Sequence, residues 1–265
     1  MSLNSTGARV GAIGRMMPAE VEAVILAAGR GSRLASVTTK RPKCLIEIGG
    51  SPLIEHQLRM LEMAGIKRVA VVAGYRADIV RKAVQGRARV IENGEWNDTN
   101  SLYSLFICRD HVRASMLVLN CDVLIHPLAL QRLLSAHGSA FLYDSSSGNS
   151  DEHMKVELDH SRLKAMSKVL PAHRTHGENV GILYFRADAA HVLFRRAGDL
   201  VAKGKKNTWM AAAVEGVARS FPLYAVDVVD LPWIEIDFPE DFSRARKQVW
   251  RQVACALAPA MRLSA

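Results

Sequence analysis

Glycines set beside fixed charges carry the chemistry of this 265-residue chain. In Val24-Ile25-Leu26-Ala27-Ala28-Gly29-Arg30-Gly31-Ser32-Arg33-Leu34 an apolar run empties into a glycine turn bearing cations, and Lys43 follows in Pro42-Lys43-Cys44-Leu45. Glycine lets a backbone approach an anion closely and present successive N–H donors, so such a turn can wrap a polyphosphate. A nucleotide is the expected ligand. Farther along, Glu235 and Asp237 stand two apart in Trp233-Ile234-Glu235-Ile236-Asp237-Phe238-Pro239-Glu240-Asp241. Residues two apart in a strand project to one face, where both carboxylates could meet one metal shell. The spacing of Asp237 and Glu240, with Pro239 between them, also fits a helix capping box, and both readings stay open.

The elements that must position these groups alternate along the chain. Periodicity predicts strands at 21–27, 69–73, 88–92 and 116–120 and helices at 52–64, 77–84 and 101–109. This alternation implies an α/β fold with a doubly wound, mainly parallel sheet. Ligands of such sheets bind beyond the carboxyl ends of the strands, where Gly29, Gly74 and Asp122 fall. After Asp122 the pattern changes. A helix at 127–136 leads to a strand at 140–143 and a serine-rich loop at 144–151. Paired strands at 154–158 and 163–169 and a strand at 179–185 then imply a small antiparallel or mixed extension covering the site. Helices at 187–203 and 208–219, strands at 223–229 and 233–236, and a terminal helix from Pro239 complete the chain.

Two common glycine loops are excluded. A dinucleotide fingerprint needs a third glycine where Leu34 stands, and a P-loop needs four residues between its glycines and then Lys-Ser/Thr. L-A-A-G-x-G-x-R-L with a downstream P-K-x-L instead resembles the nucleotidyltransferases that act on sugar 1-phosphates and related phosphate esters. The resemblance recurs in order along nearly the whole chain. It implies a Rossmann-like fold of the GT-A type, with 21–265 as one domain: a nucleotide-binding half (21–125), an acceptor-binding half (126–238) with the small antiparallel extension, and a C-terminal helix (239–265).

The same resemblance implies roles. The backbone from Leu26 through Ala27, Ala28, Gly29, Arg30, Gly31 and Ser32 would cradle the nucleotide, with Gly74 nearby. Arg33 would hold the departing pyrophosphate, and Lys43 would bridge the α-phosphate and the acceptor. Asp122, after Leu117-Val118-Leu119-Asn120-Cys121, is similar to the family's metal-binding aspartate, and Glu235 and Asp237 to its late carboxylates. Hard oxygen ligands suit Mg²⁺. Glu95-Trp96-Asn97-Asp98-Thr99-Asn100-Ser101-Leu102-Tyr103-Ser104 departs from the glutamine- and glycine-rich loop of sugar-nucleotide members. Its N-S-x-Y-S core resembles bacterial phosphocholine cytidylyltransferases, which makes CTP the favoured nucleotide and Asn100 and Ser101 base- or ribose-side candidates, although Ser101 also suits an N-cap. Gly177-Glu178-Asn179-Val180-Gly181-Ile182 matches the family's G-E-x-x-G-I. A phosphocholine site would hold its quaternary ammonium against aromatic faces, for which Tyr143, Tyr184, Trp209 and Trp233 are candidates, with Glu178 as the nearby carboxylate. A sugar-1-phosphate nucleotidyltransferase is the runner-up, and a non-catalytic, nucleotide-sensing relative is the reading from another class.

Composition bounds the rest. No apolar run reaches the roughly 18–20 residues of a bilayer span, so no membrane insertion is expected. Residues 1–20 read as a mobile leader without the apolar core of a signal peptide, consistent with a cytoplasmic enzyme. Cys44, Cys108, Cys121 and Cys255 lack C-x-x-C spacing, which argues against a disulfide framework or a zinc site. The net charge of +9 is spread over short groups such as Lys203-Lys205-Lys206 and Arg244-Arg246-Lys247. Solvated helix faces explain these, and no nucleic-acid partner is expected. Phe242, Val249, Trp250 and Val253 of the terminal helix offer apolar surface either to a homo-oligomer or to the domain itself.

Overall fold

The computed structural model describes residues 21–34, 41–148 and 150–261, with side chains described to Leu257. The leader expected at 1–20 lies outside the described residues. Strand β1 (Val21–Ala27) is buried along its whole length, the pattern of a strand covered on both faces. Its lone charged residue, Glu22, is satisfied by the backbone N–H of Arg113 at 2.9 Å and by Arg68 Nη1 at 3.0 Å. Parallel neighbours flank it: β4 (Arg68–Ala73) on one side and β6 (Ser115–Asn120) on the other, so that Ile25 lies opposite both Val71 and Leu119. β5 (Arg89–Glu92) adds in parallel to β4 as the edge. Helices α1 (Leu53–Met63), α2 (Ala77–Val84) and α3 (Ser101–Phe106) make the crossovers. α1 buries Leu53, Ile54, Leu58 and Leu61, the stripe expected at helical spacing.

The second half of the sheet departs from expectation. Strands β8 (Ser139–Asp144), β9 (Lys155–Asp159), β10 (Arg162–Ser167), β11 (Gly177–Phe185) and β12 (Leu223–Asp227) continue the main sheet in the order β5-β4-β1-β6-β11-β8-β12-β10-β9. β9 also pairs with β11, so the last five strands close into a ring. The antiparallel or mixed extension expected from the sequence is thus a mixed continuation of the main sheet, closed into a ring. β11 makes this turn possible by serving β6 and β8 along its length and β9 at its start. Its register with β8 shifts between Asn179 and Leu183. Gly181 lies in that interval at φ +83°, and a Cβ there would stand 2.6 Å from the Asn120 side chain, so glycine is the residue that fits.

Helices α4 (Pro127–Leu134), α5 (Ala187–Ala202) and α6 (Ala211–Ala218) cover this half. Two short ladders were not anticipated: β2 (Glu47–Ile48) with β3 (Ser51–Pro52), and β7 (Val123–Ile125) with β13 (Trp233–Glu235). The C-terminal helix comprises α7 (Pro239–Arg244), a π-helical turn at Ala245–Val249 and α8 (Trp250–Met261). Val249 and Val253 are buried in the core, with Phe242 and Trp250 packed against it. The Trp250 ring lies 4.5 Å from that of His56 on α1. These four residues thus contribute to the domain's own packing, with Phe242 and Trp250 only partly buried.

Candidate active site

The site forms where β1 and β6 end. After Ala27 the chain passes Ala28, Gly29 and Gly31 into a single 3-10 turn, Ser32–Leu34, anchored by fully buried Leu34. Gly31 has φ +70°, and a Cβ on it would come within 2.9 Å of the Lys43 Cβ. The glycine turn and the lysine therefore touch. Lys43 opens a second 3-10 turn held in the core by Cys44 and Leu45, and its aliphatic stem is buried with them. Its ammonium donates to Asp122 Oδ2 at 2.7 Å and to Asp237 Oδ1.

The β7–β13 ladder explains how residues so far apart in sequence meet. Asp122 stands between β6 and β7, Glu235 pairs with Val123, and the Ile236 N–H donates to the Asp122 carbonyl at 3.0 Å. Carboxylate oxygens of Asp122, Glu235 and Asp237 consequently lie within 4.8 Å of one another. The shared-face reading of Glu235 and Asp237 holds, and the proposed box of Asp237 with Glu240 does not form. Asp241 does the capping, accepting from the N–H groups of Asp237 and Phe238 at 3.1 and 3.0 Å. One residue beyond Glu240 and still in the first turn, Asp241 reaches back to the open end, which leaves the Asp237 carboxylate facing Lys43.

Electrostatics set the charge states. Burial pulls Lys43 towards neutrality, but Asp122 and Asp237 overcome it and hold the ammonium above the usual lysine range. Burial pushes Asp237 up, and Lys43, ahead of Arg33, brings it below the usual carboxylate value. Glu235 makes no ion pair among the described residues, and the pull of Lys43 on it is outweighed. Burial, followed by repulsion from Asp122 and Asp237, raises it well above the carboxylate range. Asp122 Oδ1 is buried without a hydrogen-bond partner. An orphaned carboxylate oxygen beside two further carboxylates fits a hard divalent cation such as Mg²⁺.

These groups border a cavity of about 350 Å³. Leu26, Ala28, Gly29, Gly31, Ser32, Arg33, Asn100 and Ser101 line its nucleotide-candidate side. Asn100 rather than Ser101 is the N-cap of α3, its Oδ1 accepting the Ser101 N–H at 2.8 Å, while Ser101 Oγ accepts the Met210 N–H at 2.9 Å. Ala27, Arg30 and Gly74 do not reach the cavity. Ala27 is buried in the core, the Arg30 guanidinium covers the Tyr75 ring at 5.5 Å, and Gly74 packs under Trp96 against the Ala28 carbonyl.

The expected aromatic acceptor box does not assemble. Tyr184 is 1% exposed and belongs to the core. Tyr143 bonds the Asp227 side chain, and Trp233 Nε1 donates to Asp144 Oδ2 at 2.8 Å; neither lines the cavity. Glu178 lies outside the lining too, with Ser147 Oγ donating to its Oε2; burial pushes its carboxyl up to about 7. Strand alternation and the closed ring direct these side chains to the core or the rim. Trp209 does line the cavity, but the Lys168 ammonium lies 5.0 Å from its ring centroid.

Among the cavity residues that sequence reading missed, three carry charge or an unpartnered polar atom. Glu152 Oε2 bridges Arg33 Nη1 at 3.0 Å and Lys168 Nζ at 3.3 Å. Asn179, 8% exposed, lines the wall with its Oδ1 unpartnered. Asn179 sits within the quoted G-E-N-V-G-I stretch and could have been found there. Glu152 and Lys168 carried no local signal, because ring closure brings them to Arg33.

Strand ends, an anion-accepting backbone turn and a carboxylate cluster occur together in α/β proteins that handle phosphate esters beside a divalent cation. This chain brings the same three features together at one strand edge. More specifically, the chain belongs to the MobA-like NTP transferase domain family, whose model matches residues 23–180, more than half of the chain. It is 34% identical over 121 residues to the CMP-5'-(3-aminopropyl)phosphonate synthase of Streptomyces rubellomurinus, covering 44% of this chain and 19% of that protein. The chain spans 19%, 51% and 56% of the length of three curated relatives it matches. In fold it is similar to the inositol-1-phosphate CTP transferase from T. maritima, with a TM-score of 0.72 at 20% identity over 90% of this chain and 99% of that one. The CTP:phosphocholine cytidylyltransferase from Streptococcus pneumoniae gives 0.71 at 21% identity, over 86% and 98%. Among the described residues no helix is long and apolar enough to cross a membrane.

Proposed function

We propose that this protein is a Mg²⁺-dependent cytidylyltransferase that joins CMP from CTP to a small phosphate or phosphonate acceptor. An acceptor oxygen attacks the α-phosphorus, the bond to the β-phosphate breaks, and pyrophosphate leaves. The attacking oxygen is already anionic, so the work is positioning and charge neutralisation rather than proton abstraction. The observation that carries this reading is Lys43, held beneath the glycine turn between Asp122 and Asp237.

In this reading the backbone N–H groups from Gly29 to Ser32 hold the triphosphate, and Arg33 offers its fork of donors to the departing pyrophosphate. Lys43 moves from its carboxylate partners to the α-phosphate and acceptor as their charges converge. Asp122 and Asp237, joined by Glu235, would hold Mg²⁺. Bound there, the ion would screen the phosphates from one another and stabilise the charge gathering on the leaving group. Lys168 adds a cation for the acceptor's phosphate or phosphonate. The doubly wound, GT-A-type description belongs to the same reading, supported by core clusters built around the two faces of β1.

Crossing CTP, UTP, GTP, ATP and dTTP with phosphorylated alcohols, aminoalkyl phosphonates and sugar 1-phosphates in a pyrophosphate-release assay tests the proposal. Turnover confined to CTP with a small non-sugar acceptor supports it. Turnover of sugar 1-phosphates would replace it with the sugar-nucleotide reading.

A further inference from the structure

We infer that Gln57 positions Asp122 for its divalent cation, by clamping from α1 the turn on which that carboxylate stands. Gln57 is a positioning residue that acts through Asp122. The inference rests on the proposed function, in which Asp122 holds Mg²⁺.

Gln57 lies within α1 and is 2% exposed. Its Nε2 donates to the Asn120 carbonyl at 2.7 Å and to the Val123 carbonyl at 3.1 Å. Those two carbonyls bracket Cys121 and Asp122, so one side-chain amide closes the turn between β6 and β7. An amide NH₂ group has two hydrogens to donate, and both are used here. The Oε1 is buried without a partner among the described residues, so the amide is committed to this turn alone. The opposite amide orientation would set an oxygen against two carbonyl oxygens, which fixes the assignment.

The middle of the turn is held separately. The Cys121 N–H donates to the Leu26 carbonyl at 3.3 Å, and the Asp122 carbonyl accepts from the Ile236 N–H at 3.0 Å. Neighbouring strands thus hold the centre, and Gln57 holds both ends. The same helix also sets the partner of Asp122. The Leu53 N–H at the start of α1 donates to the Ile46 carbonyl at 2.9 Å, and the Ile46 N–H donates to the Lys43 carbonyl at 3.1 Å. Leu53 and Gln57, four apart, lie on one face of α1. One helix therefore links the backbone of Lys43 to that of Asp122, and it is across this span that Nζ and Oδ2 stand 2.7 Å apart. Removing the amide leaves the Asn120 and Val123 carbonyls without this donor, and the turn must open to find others. Groups that orient a metal ligand typically change metal affinity by about 10–100-fold when they are lost.

The test compares Gln57→Met, close in volume but without a donor, with Leu58→Ala, which removes buried apolar volume from the next position of the same helix. Mn²⁺ alone is titrated into each full-length protein and read by electron paramagnetic resonance, and amide hydrogen exchange is followed over residues 117–125. Gln57→Met should weaken Mn²⁺ binding about tenfold and speed exchange at 121–123. The Mg²⁺ concentration for half-maximal turnover should rise in step, while the KM for CTP at saturating Mg²⁺ stays near that of the parent. Leu58→Ala should lower the unfolding temperature at least as far and leave Mn²⁺ affinity at the parent value. Gln57→Glu, which keeps the shape and offers at most one donor, should change in the same direction as Gln57→Met and serves where the methionine variant does not fold. Mn²⁺ affinity and exchange that match Leu58→Ala in both Gln57 variants, or a parent protein that binds no Mn²⁺, overturn the inference. A parent that binds Mn²⁺ with this dependence on Gln57, yet releases no pyrophosphate from CTP with any acceptor, would instead break the nucleotidyl-transfer reading alone.

Discussion

The two halves of the sheet hold their ligand-facing residues by different means. From β5 to β6 the strands are parallel, and the site residues come from the loops that leave β1 and β6: the glycine turn with Arg33 after β1, and Asp122 directly after β6. From β11 to β9 the strands close a ring, and Glu152, Lys168, Asn179 and Trp209 reach the same cavity from separate elements. A short contiguous motif fixes the groups proposed for phosphoryl transfer. Ring closure fixes those on the proposed acceptor side. Substitutions in the first half should therefore abolish turnover whatever the acceptor, and those in the second should change which acceptor is used.

The largest expected effect breaks the first half. Lys43→Met removes the cation shared by Asp122 and Asp237, and kcat should fall by about 10²–10³ or more with every acceptor. Steady-state kinetics against two unrelated acceptors would check it; a loss confined to one acceptor would erase the distinction between the halves. Next, Gly31→Val places a side chain on a residue at φ +70° and into the Lys43 stem. A displaced lysine should cost about 10²-fold in kcat/KM, with circular dichroism showing the fold retained.

Effects in the second half should be smaller and of another kind. The Glu178 carboxyl is raised from 4.5 to about 7, chiefly by burial. Because its folded value exceeds the unfolded one, its favourable contribution is complete below about 4.5 and is lost as pH rises through about 7. Glu178→Gln cannot ionise, so the fall in unfolding temperature between pH 5 and pH 8 should be smaller in the variant than in the parent protein. Thermal unfolding at the two pH values reads this directly. The smallest effect is expected from Glu152→Gln. Its carboxylate competes with phosphate for Arg33 and Lys168, but the Arg33–Glu152 pair is nearly half exposed, so the KM for CTP should fall by less than about fivefold.

The same contrast explains what could be read from the amino-acid order. Val21–Ala27 was legible because a fully buried parallel strand is a continuous apolar run, and the turn after it because glycine and arginine stand at fixed short spacing. Asp122, Glu235 and Asp237 could each be suspected individually. Their meeting depends on the three-residue ladder of Val123–Ile125 with Trp233–Glu235, too short to announce itself by periodicity. The β9–β10 hairpin was legible, but its return to β11 was not, since pairing between distant strands leaves no local pattern. Tyr184 and Trp233 show the consequence. Their residue type suited an aromatic box, and only the ring reveals that one fills the core and the other is tied to Asp144.

The most direct test of the central claim is pyrophosphate release by the purified protein with CTP, Mg²⁺ and a phosphate or phosphonate acceptor, followed in parallel with formation of the CMP-linked product. The account predicts one pyrophosphate per CMP-acceptor formed, dependence on Mg²⁺, and loss of both signals in Asp122→Asn and Lys43→Met. Undiminished turnover in these variants, or nucleotide binding without pyrophosphate release across the acceptor range, would contradict it.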